Sequence, residues 1–137
     1  MKKLLIILAA LFSFVVMCAQ AAESLSESGN GVGFKTVDEA LTFLKTKPGV
    51  SITVTKPDGW IIANDSSSHA VWSFTPEGHY AHPSVVKREI VQDASGGISV
   101  NMTALCQAQK EPCDRLIAEF QELNSRIRKN VQEKINK

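Results

Sequence analysis

The stretch SVVKREIVQDASGGISVNMTAL, residues 84–105, contains two apolar-rich segments separated by a short turn. In the second segment apolar and polar residues alternate, as they do in a β-strand with one buried face. The glycine-rich turn ASGG, residues 94–97, is short enough for the two segments to pair as an antiparallel hairpin. The alternation predicts that the second strand turns Ile98, Val100, Met102 and Ala104 inward and Ser99, Asn101 and Thr103 outward.

Three more strands are predicted upstream of this hairpin. Apolar and polar residues alternate from residue 51 to residue 55, and KPDG, residues 56–59, is a turn with proline at its second position. Residues 51–64 are therefore predicted to form a hairpin. NDSSS, residues 64–68, is the next turn, and AVWSFT, residues 70–75, is the third strand.

Helices are predicted at both ends of this run of strands. Thr36 and Glu39 have the spacing of a capping box, and Pro48-Gly49 ends the helix that follows. Pro112 suits the first turn of a second helix of roughly 20 residues. Each helix has one apolar stripe, comprising Val37, Ala40, Leu41 and Leu44 in the first and Leu116, Phe120, Leu123, Ile127 and Val131 in the second.

This element order predicts an α+β domain: a helix, an antiparallel sheet of about five strands, and a long C-terminal helix packed on one sheet face. The simplest arrangement of such elements has the helices covering a single face of the sheet.

The N-terminus has the pattern of a bacterial secretory signal peptide. Lys2 and Lys3 precede an apolar run, residues 4–19, and Ala19-Gln20-Ala21 offers the small residues that a signal peptidase requires. The run is too short for a membrane span. We therefore predict a signal peptide over residues 1–21, cleavage near Ala21, and a periplasmic or secreted product.

The alternative is a lipoprotein signal with a lipid on Cys18, but Met17 stands where such signals have a small residue. Residues 22–33 are rich in Ser, Gly and Glu and predict a flexible leader. Residues 34–137 are predicted to form a single domain.

The charge balance argues against a nucleic-acid partner. The whole chain has a formal net charge of +1, and cleavage after Ala21 removes two lysines, which leaves a net charge of −1. Proteins that bind nucleic acids usually carry a basic stripe. No second apolar run is long enough to cross a bilayer, so no transmembrane segment is predicted in the mature chain.

Cys106 and Cys113 are the two cysteines that remain after cleavage, and an exported pair predicts a structural disulfide. The alternative is a redox-active pair, because Cys113 lies near a helix N-terminus, where a reduced thiol is acidified. The C-x6-C spacing differs from the C-x-x-C of thiol oxidoreductases.

The histidines suggest a second kind of site. His79 and His82 lie in the loop of WSFTPEGHYAHPSVVKRE, residues 72–89, and His69 precedes the third strand. These three imidazoles, together with the carboxylate of nearby Glu77, are a candidate zinc or copper site. The alternatives are a structural loop, framed by Pro76, Gly78 and Pro83, or a recognition loop in which His79, Tyr80 and His82 contact a partner.

Other features have a structural and a functional interpretation. The aromatic set Trp60, Trp72, Phe74 and Tyr80 forms either core or a ligand platform. The basic helix end, with Arg126, Arg128, Lys129, Lys134 and Lys137, is either solvated or a contact for an anionic lipid or an acidic partner. The sequence has no G-x-S-x-G motif and no phosphate-binding glycine loop. Asp58 and Asp65 fall in turns, where aspartate is common for backbone reasons.

Residues 72–89, together with MTALCQAQKEPCDRLIAEFQELNSRIR at residues 102–128, resemble an uncharacterised family of small exported proteobacterial proteins. Its members share a W-S-F-T-P-x-G-H-x-A-x-P core and a C-x6-C pair, and the resemblance covers roughly residues 36–128. It implies export and a common fold, and it assigns no function to any residue.

We therefore expect a non-enzymatic periplasmic or secreted protein that binds a protein or cell-envelope partner, with no cofactor. The alternative is a metal-binding protein or metal-dependent hydrolase that uses His69, His79 and His82.

Overall fold

The computed structural model describes residues 32–135 and 137. The predicted signal peptide, residues 1–21, lies outside them, as does most of the predicted leader, residues 22–33. The elements in chain order are α1 (Val37–Thr46), β1 (Val50–Val54), β2 (Ile61–Asp65), β3 (Ala70–Phe74), β4 (Ser84–Gln92), β5 (Ile98–Cys106) and α2 (Lys110–Ile135).

The five strands form one antiparallel sheet in the order β1-β2-β3-β4-β5. β4 and β5 pair along all nine of their residues. The carboxylate of Asp93 closes the turn between them, because it accepts hydrogen bonds from the N–H groups of Ser95 (2.9 Å) and Gly97 (2.8 Å). The predicted α+β fold, with an antiparallel sheet between two helices in sequence, is confirmed.

The capping box begins α1 as the sequence predicts. Thr36 Oγ1 accepts a hydrogen bond from the N–H of Glu39 (3.1 Å), and Glu39 Oε2 accepts one from the N–H of Thr36 (3.2 Å). Gly49, with a φ of 80°, reverses the chain into β1. The residues that α1 buries against the sheet are Val37, Ala40 and Leu44.

Apolar side chains occupy both faces of the sheet. Val85 and Val86 are both fully buried, although successive residues of a strand point to opposite faces. Val85 packs in the same cluster as the apolar residues of α1, whereas Val86 packs in the same cluster as Leu116 and Phe120 of α2. The two helices therefore cover opposite faces, so the expectation that both helices cover one face is wrong.

We call these the α1 face and the α2 face. Strand register places Val54, Ile61, Phe74, Val85 and Leu105 in one row of the α1 face. The same face includes Ile52, Ala63 and Trp72, one row further along the strands. The core of the α2 face comprises Ala81, Val86, Ala104, Leu116 and Phe120.

A disulfide joins the sheet to α2. Cys106, the last residue of β5, forms a disulfide with Cys113, in the first turn of α2, and their Cα atoms are 5.8 Å apart. The predicted disulfide is confirmed. The helix begins at Lys110, two residues before the predicted start, and its 26 residues exceed the predicted length. Among the described residues, no helix is both long and apolar enough to cross a membrane.

Two further residues are buried, Val32 before α1 and Asp65 at the end of β2. Val32 is buried under α1, so the packed domain begins at least two residues before the predicted start at residue 34. Asp65, at the end of β2, is also buried and pairs with Lys47, which caps the C-terminus of α1.

Candidate functional site

The loop between β3 and β4, residues 75–83, contains two of the three histidines, and we call it the histidine loop. Its base is closed by Thr75 and Ser84: the N–H of Thr75 donates to the Ser84 carbonyl (3.0 Å), and the N–H of Ser84 donates to Thr75 Oγ1 (2.9 Å). Two turns follow, closed by hydrogen bonds from His79 to Pro76 and from His82 to His79. The predicted structural turns are therefore present, and the loop is held by its own backbone.

One side of the histidine loop packs on α2. The ring of His79 lies between Trp60 and Tyr80, with centroid distances of 5.0 Å and 4.2 Å. The hydroxyl group of Tyr80 donates a hydrogen bond to Glu119 of α2 (2.7 Å), and the guanidinium of Arg115 lies 4.4 Å from the centre of the Tyr80 ring. These contacts use His79 and Tyr80 within the domain, so they anchor the loop.

His79 is held as a neutral imidazole. The N–H of Ala81 donates to His79 Nδ1 (3.1 Å), so this nitrogen carries no proton. Burial lowers the pKa of His79 below its ordinary value of 6.5, since desolvation disfavours the charged ring; the nearby Arg115 and His82 act in the same direction, and Glu119 opposes them. Protonation of Nδ1 would break the bond from Ala81.

This arrangement makes stability depend on pH. Because the pKa of His79 is lower in the folded protein, the unfolded chain binds the proton first as the pH falls below about 6.5, and stability is lost from there through the folded pKa. We expect urea unfolding at a series of pH values to show that the free energy of unfolding decreases as the pH is lowered from about 6.5 to 5. For one proton the decrease is at most about 1.4 kcal/mol per pH unit.

A His79→Asn variant should lose this component of the pH dependence, because an asparagine oxygen replaces Nδ1 as acceptor for Ala81 and does not titrate. The control is His69→Asn in the exposed turn between β2 and β3, where asparagine tolerates the positive φ of 50°. An identical pH profile for His79→Asn and the wild type would contradict this role of His79.

The other side of the histidine loop borders a pocket on the α1 face. His82 Nδ1 lies 3.0 Å from the carbonyl oxygen of Thr75, which only accepts hydrogen bonds, so Nδ1 carries the proton. This bond fixes the ring and leaves Nε2 for an external group. His82 therefore differs from His79: it lines a cavity, and one of its nitrogens has no partner among the described residues.

The pocket has a volume of about 520 Å³ and lies where the N-terminus of α1 meets one end of the sheet. The apolar row of the α1 face contributes Val54, Ile61 and Phe74 to its floor and walls. Gln107, which follows β5, holds the helix over the pocket, because its side-chain oxygen accepts a hydrogen bond from the N–H of Val37 (2.9 Å). The apolar lining comprises Val37, Leu41, Val54, Ile61, Phe74, Pro76 and Pro83, and the polar lining comprises Asp38, Thr75, Glu77, His82 and Gln107.

The charged groups of the pocket are both acidic. Asp38 comes from the first turn of α1 and Glu77 from the histidine loop. Within residues 32–135 and 137 neither carboxylate makes an ion pair or a hydrogen bond. The pocket thus combines an apolar floor with two carboxylates that have no cationic side-chain partner among the described residues, which favours a ligand with an apolar body and a cationic group.

The fold does not assemble the three histidines into one site. His69 precedes β3 and the histidine loop follows it, so the five residues of β3, at about 3.3 Å each, separate them. In the described part of the chain no group of three or more His, Cys, Asp or Glu side chains is placed to hold a metal ion. The interpretation of His69, His79 and His82 as one metal site does not fit this geometry.

The four residues of the aromatic set lie in the core and around the histidine loop. Trp72 and Phe74 are buried on the α1 face, and Phe74 forms part of the pocket floor. Trp60 packs between His79 and Phe120 on the α2 face, and Tyr80 is 37% exposed beside α2. These side chains are core and loop anchors, and no separate aromatic platform results.

The comparisons with known proteins identify no relative. No protein-family model matches the chain, and no curated protein or solved structure matches it. The family resemblance noted in the sequence is therefore an expectation that these comparisons leave open.

Most of the pocket residues carry no signal in the sequence. Asp38 is an acidic residue of the kind that is common in the first turn of any helix, and Val54 and Ile61 are of types common in any strand. Five separate segments of the chain contribute to the pocket, so only the pairing of the strands brings these residues together. Of the predicted recognition residues, His82 alone lines it.

Proposed function

We propose that this protein is an exported, non-enzymatic binding protein and that the pocket beside the histidine loop is its binding site. The partner is a protein or a cell-envelope component that offers an apolar group with a cationic end. The observation that carries the proposal is the pairing of an apolar floor with the two unpaired carboxylates of Asp38 and Glu77.

Affinity and selectivity have different sources in this proposal. Burial of apolar ligand surface against Leu41, Val54 and Ile61 stabilises the complex by about 25 cal/mol per Å². The carboxylates select the sign of the charge, since a cation gains two ion pairs and an anion is repelled. The imidazole of His82 adds one hydrogen-bonding nitrogen at the same end of the pocket.

Export is the second part of the proposal, and it rests on the N-terminal sequence pattern of residues 1–21. The disulfide between Cys106 and Cys113 supports it, because such bonds persist in oxidising compartments.

A pair of small probes with the same apolar body tests the pocket. We expect 4-phenylbutylamine to bind about tenfold more tightly than 4-phenylbutyrate at low salt, because two surface ion pairs contribute about 0.5–1 kcal/mol each. Titrations followed by amide chemical shifts should move the signals of Leu41, Val54, Glu77, His82 and Gln107.

An Asp38→Asn/Glu77→Gln variant should bind both probes with similar affinity, whereas Glu122→Gln, on the exposed side of α2, should keep the preference for the amine. Equal binding of both probes to the wild-type protein, or shifts centred outside the pocket, would refute the proposed site.

A further inference from the structure

Part of the β1 backbone, on the outer edge of the sheet, has no hydrogen-bonding partner among the described residues. β1 is the first strand of the sheet and pairs only with β2 among the described strands. The N–H of Thr55 donates to the Trp60 carbonyl (2.9 Å), so this pair is hydrogen-bonded. Because hydrogen-bonded and non-hydrogen-bonded pairs alternate in antiparallel ladders, Ile52 and Val54 turn their N–H and C=O groups away from β2.

The rest of the sheet gives the same assignment. The N–H of Thr75 bonds to Ser84, so the odd-numbered residues of β3 pair with β4 and the even-numbered ones pair with β2. β2 then uses Ile62 and Asn64 for its bonds to β1, opposite Thr53 and Ser51. The outward groups of β1 are therefore those of residues 50, 52 and 54, of which the N–H of residue 50 is occupied by Lys47.

This edge lacks the features that protect exposed strands from pairing. β1 has the sequence VSITV and contains neither a charged residue nor a proline. Val54 is 59% exposed, and its side chain forms one wall of the pocket. Val54 therefore belongs both to the edge of the sheet and to the lining of the pocket.

We infer that β1 accepts an extended peptide of a partner protein as a sixth strand and that a lysine or arginine of this peptide enters the pocket. The inference rests on the proposed function and specifies its partner. Added peptide strands bind through main-chain hydrogen bonds and select side chains through adjacent pockets. A peptide residue opposite Val54 has its Cβ atom about 4.5–5.5 Å from that of Val54 and on the same sheet face, so its side chain points over the pocket.

The charge of the pocket determines which side chain fits. A long cationic side chain can lay its methylene groups against Val54 and Leu41 and bring its charge to Asp38 and Glu77. An acidic side chain at the same position meets two like charges. The peptide strand alternates, so its neighbouring residues on the same face favour small apolar side chains beside Ile52.

The probe is acetyl-Thr-Val-Thr-Lys-Thr-Val-Thr-amide, with a matched peptide that has glutamate in place of lysine. We expect the lysine peptide to bind at least tenfold more tightly, to shift the amide signals of Ile52 and Val54, and to slow hydrogen exchange at both amides. The Asp38→Asn/Glu77→Gln variant should reduce the preference to less than about threefold.

An Ile52→Pro variant removes one outward N–H and leaves the ladder to β2 intact, because proline is tolerated on the free side of an edge strand. Ile52 does not line the pocket, so this variant should lose peptide binding and still bind 4-phenylbutylamine. The control is Ile98→Pro at the start of β5, the opposite edge strand, where the backbone N–H also points away from the neighbouring strand. This variant should bind the peptide as the wild type does.

The results separate the two proposals. If 4-phenylbutylamine binds in the pocket but neither peptide protects the amides of Ile52 and Val54, this inference is wrong and the proposed function stands. If neither the amine nor the peptides bind, both are wrong. Protection of the same amides without peptide, increasing with protein concentration, would assign the edge to a second copy of the chain and overturn the inference.

Discussion

Replacing Asp65 by asparagine is expected to lower the free energy of unfolding at pH 7 by about 3 kcal/mol. Only 3% of the Asp65 side chain is exposed, and its carboxylate pairs with Lys47 at the end of α1. It also accepts hydrogen bonds from the N–H of Ser67 (3.1 Å), from Ser67 Oγ (2.6 Å) and from Ser68 Oγ (2.8 Å). Asparagine loses the charge and one acceptor oxygen, so it leaves the Lys47 ammonium unpaired.

The same network predicts an acid dependence. The hydrogen bond from Lys47, then the hydrogen bonds from Ser67 and Ser68, and last the charge of Lys47 hold the pKa of Asp65 well below its ordinary value of 3.8, although burial acts in the opposite direction. A lowered folded pKa contributes stability that is present above about pH 4 and is lost as the pH falls through the folded pKa. The difference between the wild type and Asp65→Asn should therefore be largest near neutral pH and should decrease below pH 4.

Urea unfolding at several pH values measures this effect, and Asp58→Asn is the matched control. Asp58 lies exposed in the turn between β1 and β2, so its replacement should change the free energy of unfolding by less than about 0.5 kcal/mol. If the two variants were equally stable, the network around Asp65 would contribute nothing to the fold.

Asp58 and Asp65 also show how far the sequence predicts this structure. The sequence places both aspartates in predicted turns between strands, where the backbone preference of aspartate explains either position equally well. In the structure, Asp65 is instead the last residue of β2. The burial of Asp65 depends on Lys47, which is 18 residues away and arrives through the pairing of β1 with β2. A local sequence pattern cannot predict a contact between residues that are this far apart in the chain.

The helices and strands themselves depend on local sequence patterns, and such patterns predict where each element lies. The capping box of α1, the alternation in β5 and the turn between β4 and β5 are formed by residues within about nine positions of one another. Which face of the sheet each helix covers depends on contacts between residues that are far apart in the sequence. The adjacent buried residues Val85 and Val86 indicate a strand covered on both faces, and this signal was available in the sequence.

The candidate site was less predictable than the fold. The sequence directs attention to His79, Tyr80 and His82 because these residue types cluster in one loop. In the structure this loop divides at Ala81, which is fully buried: His79 and Tyr80 face α2, and His82 lines the pocket with residues from α1, β1 and β2. A three-dimensional pocket of this kind follows from sheet register, which the sequence only partly determines.

Removing the disulfide is the second large effect that we expect. A Cys106→Ala/Cys113→Ala variant should lose about 2–3 kcal/mol of stability, because the bond closes a short loop and restricts the unfolded chain. For a domain of this size, such a loss lowers Tm by on the order of 10 °C. The disulfide fixes the start of α2, so the residues that depend on it most are Leu116 and Phe120, which pack on the α2 face.

The division of the domain into two faces makes this prediction specific. The histidine loop reaches α2 through Tyr80 and Glu119, so amides on that side should exchange faster in the double variant. The pocket lies on the α1 face and is built without α2, so binding of 4-phenylbutylamine should remain within about twofold of the wild type. Wild-type protein in reductant should behave like the variant. Two free thiols in the native protein, or an unchanged Tm in the double variant, would refute a structural disulfide and favour the redox-active pair in which Cys113 is the acidic thiol.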